Sequence, residues 1–393
     1  MSEQNIKKMI GDVFEEIANG IESGNFGKRV RVGLTAFGSE HGTDNLVKGA
    51  ELAQANDPSI EVCLIGPKVE SNLTQFNAET EDEGYKLMEQ LLDDGTIDAC
   101  VTMHYNFPIG VSTVGRVITP AMAKEMTIAT TTGTSSPHRV EAMVLNGVAG
   151  IITAKAMGNP DPTVGILNVD GARQVERALK DLSNGGYPIK FAESNRADGG
   201  CVMRGNDLLQ GVPDVMVTDT LTGNILMKVF SSYQTGGGFE AMGYGYGPGI
   251  GQGYERVILI VSRASGYPVI ANAINYAGKA IKGGLKTLVK TEFDKANHAG
   301  LSKILEGFKK ESEKAQDSKE EVKMPDKEIV ESSIAGIDIL ELEDAVQALW
   351  AAGIYAESGM GCTGPIVMVS STKLEAAKHE LAKAGYVAEE SNC

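Results

Sequence analysis

Residues 29–66 read RVRVGLTAFGSEHGTDNLVKGAELAQANDPSIEVCLIG, and this stretch decides the fold class. It contains an apolar run from Val30 to Ala36, a segment with helical spacing near Asn45 to Ala55, and a second apolar run from Val62 to Ile65. A strand, a helix and a strand in this order indicate a right-handed crossover between two parallel strands.

The same alternation continues as far as residue 218. It predicts, in chain order, the helix Glu81 to Leu92, the strands Ala99 to Met103 and Ile128 to Thr132, the helix Arg139 to Met157, the strand Val164 to Val169, the helix Ala172 to Leu182 and the strand Asp214 to Thr218. The sequence therefore predicts an α/β fold with a doubly wound, mostly parallel sheet that helices cover on both faces. Ligands of such sheets bind outside the carboxyl ends of the strands, so we expect functional residues in the loops that follow strands.

The chain of 393 residues is long enough for two or three domains. Four segments are predicted: an N-terminal amphipathic helix (1–28), an α/β body that can divide into two subdomains (29–306), a charged linker (307–332) and a small C-terminal α/β unit (333–393). Apolar residues at helical spacing predict the first helix, and Gly20 and Gly24 end the pattern. Its apolar face packs on its own domain or against a partner subunit, and the sequence leaves both open.

The C-terminal unit contains a candidate nucleophile. Its predicted elements are a helix, a strand and a second helix, at Leu342 to Ala352, Ile366 to Val369 and Lys373 to Ala384. Before the strand lies a glycine-broken segment, Ser358 to Pro365, which carries Cys362. Glycines around a thiol permit a nest of backbone amides that favours the thiolate and supplies oxyanion donors. By contrast, Cys63 lies inside an apolar strand and is expected to be structural.

The charge balance excludes several classes of function. Thirty-six basic and fifty-two acidic residues give a formal charge of −16, which repels nucleic-acid backbones and anionic membrane surfaces. We therefore expect no nucleic acid and no membrane as partners, and any anionic substrate must be held by local donors. No apolar run reaches the roughly 20 residues of a spanning helix, so a soluble, cytoplasmic protein is expected. Five scattered cysteines, and five histidines without metal-ligand spacing, predict reduced thiols and no metal site.

Two strand ends carry polar residues that suit an anion. The first is followed by Asp219-Thr-Leu-Thr-Gly-Asn224 and by a helix expected from Ile225 to Phe230. Hydroxyls and free amides at a helix start stabilise phosphate or a carboxylate, although a plain N-cap with a glycine turn fits the same residues. The second strand, Val257 to Val261, ends in Ser262-Arg263. Arginine there offers a planar fork to anion oxygens or serves as a surface ion-pair partner.

A glycine-rich segment from Gly236 to Gly253 lies between these strand ends, with nine glycines in eighteen residues. So many glycines disfavour a helix or a strand, and they predict a mobile cover over the site or a plain connector. No GxGxxG pattern stands between a predicted strand and a predicted helix, so no nicotinamide cofactor is expected.

Several of these stretches resemble known enzymes. Thr35 to Ala53, Pro162 to Asp170 and Asp214 to Lys228 resemble the PlsX-type phosphate acyltransferases, and the last of them, together with Ser262-Arg263, is also similar to motifs of the phosphate acetyltransferases. The shared order of the motifs implies a PlsX/phosphotransacetylase-like fold. By this resemblance, the phosphate and acyl-phosphate site is formed by Asp219, Thr222, Gly223, Asn224, Ser262 and Arg263.

The whole chain, including Gly-Met-Gly-Cys-Thr-Gly-Pro at residues 359–365, is similar to the alpha subunits of component C of the glycine, sarcosine and betaine reductase complex. In that family an acetyl group from the carboxymethylated selenoprotein, component A, is taken up as a thioester and released by phosphate as acetyl phosphate. The resemblance implies that Cys362 carries the acetyl group and that phosphate is the co-substrate, with no cofactor in this chain. It also implies two protein partners, the component C beta subunit and component A.

One departure bears on the acyl carrier. Phosphate acetyltransferases have an acidic residue in the helix after their Ser-Arg-Gly motif, whereas Ser265 to Val269 contains none. Such a site does not activate the thiol of coenzyme A in the same manner, and a thioester on Cys362 would make a mobile carrier unnecessary.

Two other functions stay open at this point. The chain could be a stand-alone phosphate acyltransferase that uses coenzyme A or acyl carrier protein, in which case acyl exchange would not need Cys362. It could also be a non-catalytic scaffold subunit of the reductase complex, whose pocket only docks a partner protein. The scaffold would show no turnover of acetyl phosphate.

Overall fold

The computed structural model describes residues 29–197, 199–308, 322–338, 341–361 and 364–387, together with nine helical positions before residue 29. The strands are β1 (Val30–Thr35), β2 (Ile60–Gly66), β3 (Thr74–Asn77), β4 (Ala99–Thr102), β5 (Val111–Ile118), β6 (Glu125–Thr134), β7 (Thr163–Leu167), β8 (Lys190–Phe191), β9 (Val202–Met203), β10 (Val215–Val217), β11 (Gly247–Ile250), β12 (Ile258–Ile260), β13 (Ser332–Ala335), β14 (Ala356–Gly361) and β15 (Gly364–Val369). The helices are α1 (Thr43–Asn56), α2 (Glu81–Asp93), α3 (Arg139–Ala156), α4 (Ala172–Asn184), α5 (Gly205–Gln210), α6 (Thr220–Ser232), α7 (Tyr267–Lys282), α8 (Leu285–His298), α9 (Leu342–Ala351) and α10 (Leu374–Lys383). Residues 301–308 are also helical.

Twelve of these strands form one sheet, and its two halves run in opposite directions. The order is β3-β2-β1-β4-β12-β11-β5-β6-β10-β7-β8, and β9 also pairs with β7. Strands β1, β2, β3, β4 and β12 are parallel to one another, and so are β6 to β10. Three successive antiparallel pairs, formed by β12, β11, β5 and β6, join the two halves. The predicted mostly parallel α/β sheet is confirmed, but these reversals place the carboxyl ends of β12 and β10 at opposite edges.

The parallel strands are apolar because helices cover the sheet. All four residues of β4 are buried, and so are six of the seven residues of β2. Helices α1 and α7 contact each other and the first half of the sheet, whereas α3 contacts β6, β10 and the helices α4 and α8. The predicted helices corresponding to α2, α3 and α4 are confirmed.

The glycine-rich segment enters the sheet, so its prediction as a mobile cover or connector is wrong for residues 247–250. These residues form β11, which is fully buried between β12 and β5. A Cβ atom on Gly247 would lie 1.7 Å from the carbonyl oxygen of Val114, and one on Gly249 would lie 2.4 Å from the ring of Phe107. Close approach of neighbouring groups, rather than mobility, therefore requires glycine here.

The C-terminal unit has a sheet and a core of its own. Its three antiparallel strands have the order β13-β15-β14 and pack with α9 and α10 around buried Leu349, Val367 and Leu381. Both predicted helices are confirmed. The segment predicted as glycine-broken instead contributes paired strands, with Gly359 opposite Ile366. The side chain of Ile366 lies 3.5 Å from the position of a Cβ on Gly359, so neighbouring side chains cover the glycine.

The N-terminal helix leaves its apolar face exposed at the described positions. Ile10 is 50% exposed, Phe14 69% and Ile21 71%. Helical backbone includes Gly20, one of the residues at which the pattern is predicted to end. Packing of this face on its own domain is therefore not observed at these positions, and the four predicted segment boundaries stay predictions. In the described part of the chain, no helix is both long and apolar enough to cross a membrane.

Candidate functional site

The start of α6 holds the first group of predicted site residues. The helix begins at Thr220, five residues before its predicted start, and Asp219 is its N-cap. The Asp219 carboxylate accepts hydrogen bonds from the Thr222 amide (3.0 Å) and the Thr222 hydroxyl (2.6 Å), and it pairs with the guanidinium of Arg139 (3.0 Å). The plain N-cap is thus present, and a carboxylate rather than an open set of donors occupies this helix start.

Gly223 and Asn224 fasten the same helix to β6. A Cβ atom on Gly223 would lie 1.7 Å from the carbonyl oxygen of Thr130, so only glycine permits this approach. The Asn224 side-chain amide donates to the carbonyl oxygen of Thr131 at 3.2 Å. The polar groups of this first group are therefore used within the fold.

The second group follows β12 and is more open. Ser262 Oγ accepts hydrogen bonds from Lys228 Nζ at 2.5 Å and from the Ala264 amide at 3.1 Å. A hydroxyl oxygen has two acceptor lone pairs and one O–H donor, so Ser262 can interact further only as a donor. The Arg263 side chain is 53% exposed, and its guanidinium lies 4.0 Å from the Glu81 carboxylate. Such a loose, exposed ion pair leaves the guanidinium available to an anion.

A buried carboxylate stands behind this group. The Glu240 side chain is only 3% exposed, and its Oε1 lies 2.7 Å from Lys228 Nζ. The hydroxyls of Ser265 and Tyr246 also donate to Glu240, at 3.2 and 3.4 Å. Burial, with the neighbouring Glu240 carboxylate, raises the pKa of the Tyr246 phenol well above its ordinary value. Tyr246 therefore stays protonated and able to donate.

Neither Lys228 nor Glu240 is among the residues predicted from the sequence. Lys228 ends a stretch that resembles the acyltransferase motifs, and it stands four residues after Asn224, on the same face of a helix. That spacing is a signal that could have identified it. Glu240 lies in the glycine-rich segment, where nothing in the sequence distinguishes it.

The structure brings Ser262 together with Lys228, with Arg263 next in the loop, and keeps these residues apart from the start of α6. Lys228 stands eight residues after Thr220, which is about 12 Å along a helix axis. A single phosphate does not span that distance. Helix α6 therefore connects two groups of residues that the two halves of the sheet place at opposite edges.

The C-terminal unit docks at the edge that contains the start of α6. Asp338, which is buried, accepts hydrogen bonds from the amides of Gly171 (3.1 Å) and Arg173 (3.4 Å) at the start of α4. Glu341 pairs with Arg177 at 2.6 Å and accepts from Gln174 at 2.9 Å. Helix α4 follows β7, the neighbour of β10, so the two helix starts share one edge.

The cysteines that the structure describes are all held as thiols, and the predicted nucleophile Cys362 lies outside the described residues. Burial raises the pKa of Cys63 to about 12, with a smaller contribution from Glu61. Burial likewise raises the pKa of Cys201 to about 12, and it raises that of Cys100 well above its ordinary value. Thiolate chemistry is therefore disfavoured at these three positions.

The match to a family model first defines the class of protein. A family model described as "Fatty acid synthesis protein" matches residues 30–368. A phosphate acyltransferase of Lysinibacillus sphaericus (strain C3-41) is 26% identical over 240 residues, covering 51% of this chain and 70% of that protein. A solved structure, a branched-chain phosphotransacylase from Enterococcus faecalis V583, is 16% identical and covers 64% of this chain and 99% of its own, with a TM-score of 0.45.

A relative that matches over nearly its whole length then identifies the particular family within this class. The alpha subunit of glycine/sarcosine/betaine reductase complex component C from Peptoclostridium acidaminophilum is 64% identical over 383 residues, which cover 98% of this chain and 99% of that protein. The chain therefore belongs to the fatty acid synthesis protein family and, within it, to the family of component C alpha subunits of this reductase. The resemblances to the PlsX-type phosphate acyltransferases and to the component C alpha subunits are confirmed.

Proposed function

We propose that this chain, as the alpha subunit of a glycine/sarcosine/betaine reductase component C, transfers an acetyl group from a thioester to phosphate. The observation that carries the proposal is the group of donors at the carboxyl end of β12. There, a protein of formal charge −16 places the Ser262 hydroxyl beside a lysine ammonium, and the next residue, Arg263, has an exposed guanidinium. Such donors bind tetrahedral oxyanions.

The proposed step is an acyl transfer in which the acetyl group is held on Cys362. Asp338 and Glu341 of the C-terminal unit contact α4 at the opposite edge of the sheet, so the step requires Cys362 to reach the β12 site from there. A phosphate oxygen attacks the thioester carbonyl carbon and forms a carbon–oxygen bond, while the carbon–sulfur bond breaks and its electron pair leaves on sulfur. The products are acetyl phosphate and the Cys362 thiolate. The acetyl group would come from the selenoprotein, component A, with the component C beta subunit as the second partner. Phosphate is the co-substrate, and the mechanism uses no cofactor in this chain.

The six predicted site residues take two roles in this proposal. Ser262 and Arg263 bind the phosphate. Gly223 and Asn224 fix α6 on β6, and Asp219 and Thr222 cap its start. These contacts hold the far end of the helix, with Lys228, against the Ser262 loop. In this arrangement the helix start supplies position, and the β12 loop supplies the donors.

A second candidate is a stand-alone phosphate acyltransferase that uses coenzyme A or acyl carrier protein. Ser262, Arg263 and Lys228 all lie in the main body and need no residue of the C-terminal unit for their contacts. This favours a site that works without Cys362. The two candidates differ in whether the acetyl group is ever bound to this chain.

The test uses the purified full-length chain with acetyl phosphate and arsenate. We expect loss of acetyl phosphate and an acetyl adduct on Cys362, detected by peptide mass spectrometry. Cys362→Ala should abolish both, and Cys393→Ala, which removes another thiol outside the described residues, should abolish neither. Arsenolysis in Cys362→Ala that depends on added coenzyme A or acyl carrier protein would support the stand-alone enzyme instead. No loss of acetyl phosphate in the wild-type chain, with or without these carriers, would contradict both candidates and support a scaffold.

A further inference from the structure

A lysine ammonium in the β12 site is fixed in place by a carboxylate that has no other evident task. Glu240 is bound through its main chain as well as its side chain: its amide donates to the Ala264 carbonyl (3.1 Å), and its carbonyl accepts from the Gly266 amide (2.8 Å). The residue is therefore immobilised on the same loop that presents Ser262. A charge so deeply buried is costly unless it is paired, and Lys228 is its cationic partner.

The hydrogen bonds of Glu240 indicate an anchor rather than a base. Its carboxylate accepts from the Lys228 ammonium and from the Ser265 and Tyr246 hydroxyls, so three donors already surround it. A general base must reach the proton that it abstracts, and Glu240, at 3% side-chain exposure, faces these internal donors. Its effect on a ligand must pass through Lys228.

The geometry at Lys228 leaves a donor for a ligand. An ammonium has three N–H groups, and the described contacts use two of them, toward Glu240 Oε1 and Ser262 Oγ. The Lys228 side chain is 49% exposed, so the remaining N–H can reach solvent or a bound anion. The Ser262 hydroxyl has the Tyr246 phenol as its hydrogen-bond partner within the fold, and a bound anion would replace Tyr246 in that role. An incoming phosphate oxygen would take both donors.

We infer that Lys228 is a phosphate-binding residue of the β12 site and that Glu240 is its positioning residue. Lys228 also accounts for the role of Ser262: by occupying one lone pair of Oγ, it makes the hydroxyl a donor to the anion and not a nucleophile. The inference rests on the proposed function in taking phosphate as the anion. It assigns the ammonium charge that a dianionic oxyanion requires in addition to Arg263.

The experiment measures binding of inorganic phosphate to the full-length chain by isothermal titration calorimetry. The double variant Lys228→Gln with Glu240→Gln removes both charges at once, so no unpaired charge is left buried. We expect its dissociation constant for phosphate to rise at least tenfold, with an unchanged circular dichroism spectrum. Lys228→Arg should recover part of the affinity. Lys190→Met removes an exposed lysine paired with Asp161 and should leave binding within twofold of wild type. A folded double variant that also binds within twofold of wild type would overturn the inference.

A measurement on the unmodified chain covers the case in which the double variant does not fold. Lysines are labelled with trinitrobenzenesulfonate in the presence and absence of saturating phosphate, and the labelled sites are quantified by mass spectrometry. Phosphate should slow labelling of Lys228 at least fivefold and leave Lys190 unaffected. Equal labelling of Lys228 with and without phosphate would overturn the inference.

These results are separable from the test of the proposed function. Phosphate binding does not require an acetyl group, so Cys362→Ala should bind phosphate as the wild type does. Intact phosphate binding without acetyl transfer would count against the proposed function and support the inference. Acetyl transfer with phosphate binding that is independent of Lys228 would count against the inference alone.

Discussion

The two ends of helix α6 present similar polar groups but differ in how many of them the fold already uses. At its start, Asp219 accepts hydrogen bonds from Thr222 and pairs with Arg139, while Asn224 donates to the backbone of β6. Toward its far end, Lys228 contacts Ser262 and still has an N–H to give. The start of the helix carries a partly buried carboxylate that is paired with Arg139, and the far end carries a half-exposed lysine ammonium.

We infer from this difference that donors left unpaired by the fold, rather than polar residues as such, mark the candidate binding site. A helix N-terminus attracts anions through its free amides, but an Asp N-cap supplies its own anion and takes up one of those amides. In the loop after β12, fewer polar side-chain groups are hydrogen-bonded to other groups of the fold. In the proposed function the helix start therefore positions α6, and the β12 loop binds the phosphate.

The largest expected effect is at the helix start. Gly223→Ala would drive a methyl group into the carbonyl oxygen of Thr130, so α6 must move away from β6. We expect the free energy of unfolding to fall by about 3 kcal/mol, measured by urea denaturation. Gly307→Ala, at a helical position with open space, is the matched control and should not destabilise the chain. Equal stability of the two variants would show that the close contact at Gly223 is not a constraint.

The next largest effect is on the KM for phosphate, and it comes from a residue near the far end of α6. Ser262→Ala removes the hydroxyl donor, and a lost hydrogen bond to a charged group is worth roughly 2 kcal/mol, or about a thirtyfold change. We expect the KM for phosphate, or arsenate, to rise by about this factor in the acetyl phosphate assay. Thr222→Val removes a hydroxyl that donates to Asp219 and should change this KM less than twofold. A larger rise in Thr222→Val than in Ser262→Ala would reverse the comparison.

A smaller effect is expected from removal of the cap. Asp219→Ala loses the acceptor for the Thr222 amide, and such caps contribute about 1 kcal/mol to stability. The free energy of unfolding should fall by that amount, whereas Asp219→Ser, which keeps a capping oxygen, should recover most of it. If the two variants are equally unstable, the cap is not what Asp219 contributes.

The smallest effect concerns the ion pair beside the site. Glu81→Gln removes the carboxylate that lies 4.0 Å from the Arg263 guanidinium. Because exposed pairs contribute little, stability should change by less than about 0.5 kcal/mol. The KM for phosphate should stay the same or fall by up to about twofold, since a competing anion is gone. A rise in this KM would mean that Glu81 holds Arg263 in its binding position.

The sequence predicts helices α1 to α4 of the main body because their 3.6-residue apolar period is local. It does not predict α5, α7 and α8, and it predicts the start of α6 five residues late. It does not predict β5, which carries buried Ser112 and Thr113 together with Gly115, or β11, which is half glycine. Those two strands contain the reversals between the halves of the sheet. The opposite direction of the halves, and with it the separation of Asp219 from Ser262, therefore could not be predicted.

The candidate site also has one part that the sequence predicts and one part that it does not. Ser262 and Arg263 are predicted because they follow an apolar strand directly, a local pattern. Their contacts depend on residues far away in sequence, since Lys228 lies 34 residues before Ser262. The role of Glu240 can be recognised only from the structure, in which the loop after β12 packs against it. The sequence identifies the polar side chains that follow a strand. The contacts that position those side chains, such as that between Lys228 and Ser262, are seen only in the folded structure.

The most direct test of the account is to locate a bound phosphate analogue. Crystals of the chain grown or soaked with arsenate would show the arsenic atom by its anomalous scattering. The account predicts an arsenic peak beside the β12 loop, with arsenate oxygens within hydrogen-bond distance of Ser262 Oγ and Lys228 Nζ. A peak at the start of α6, against the amides that follow Asp219, would contradict it.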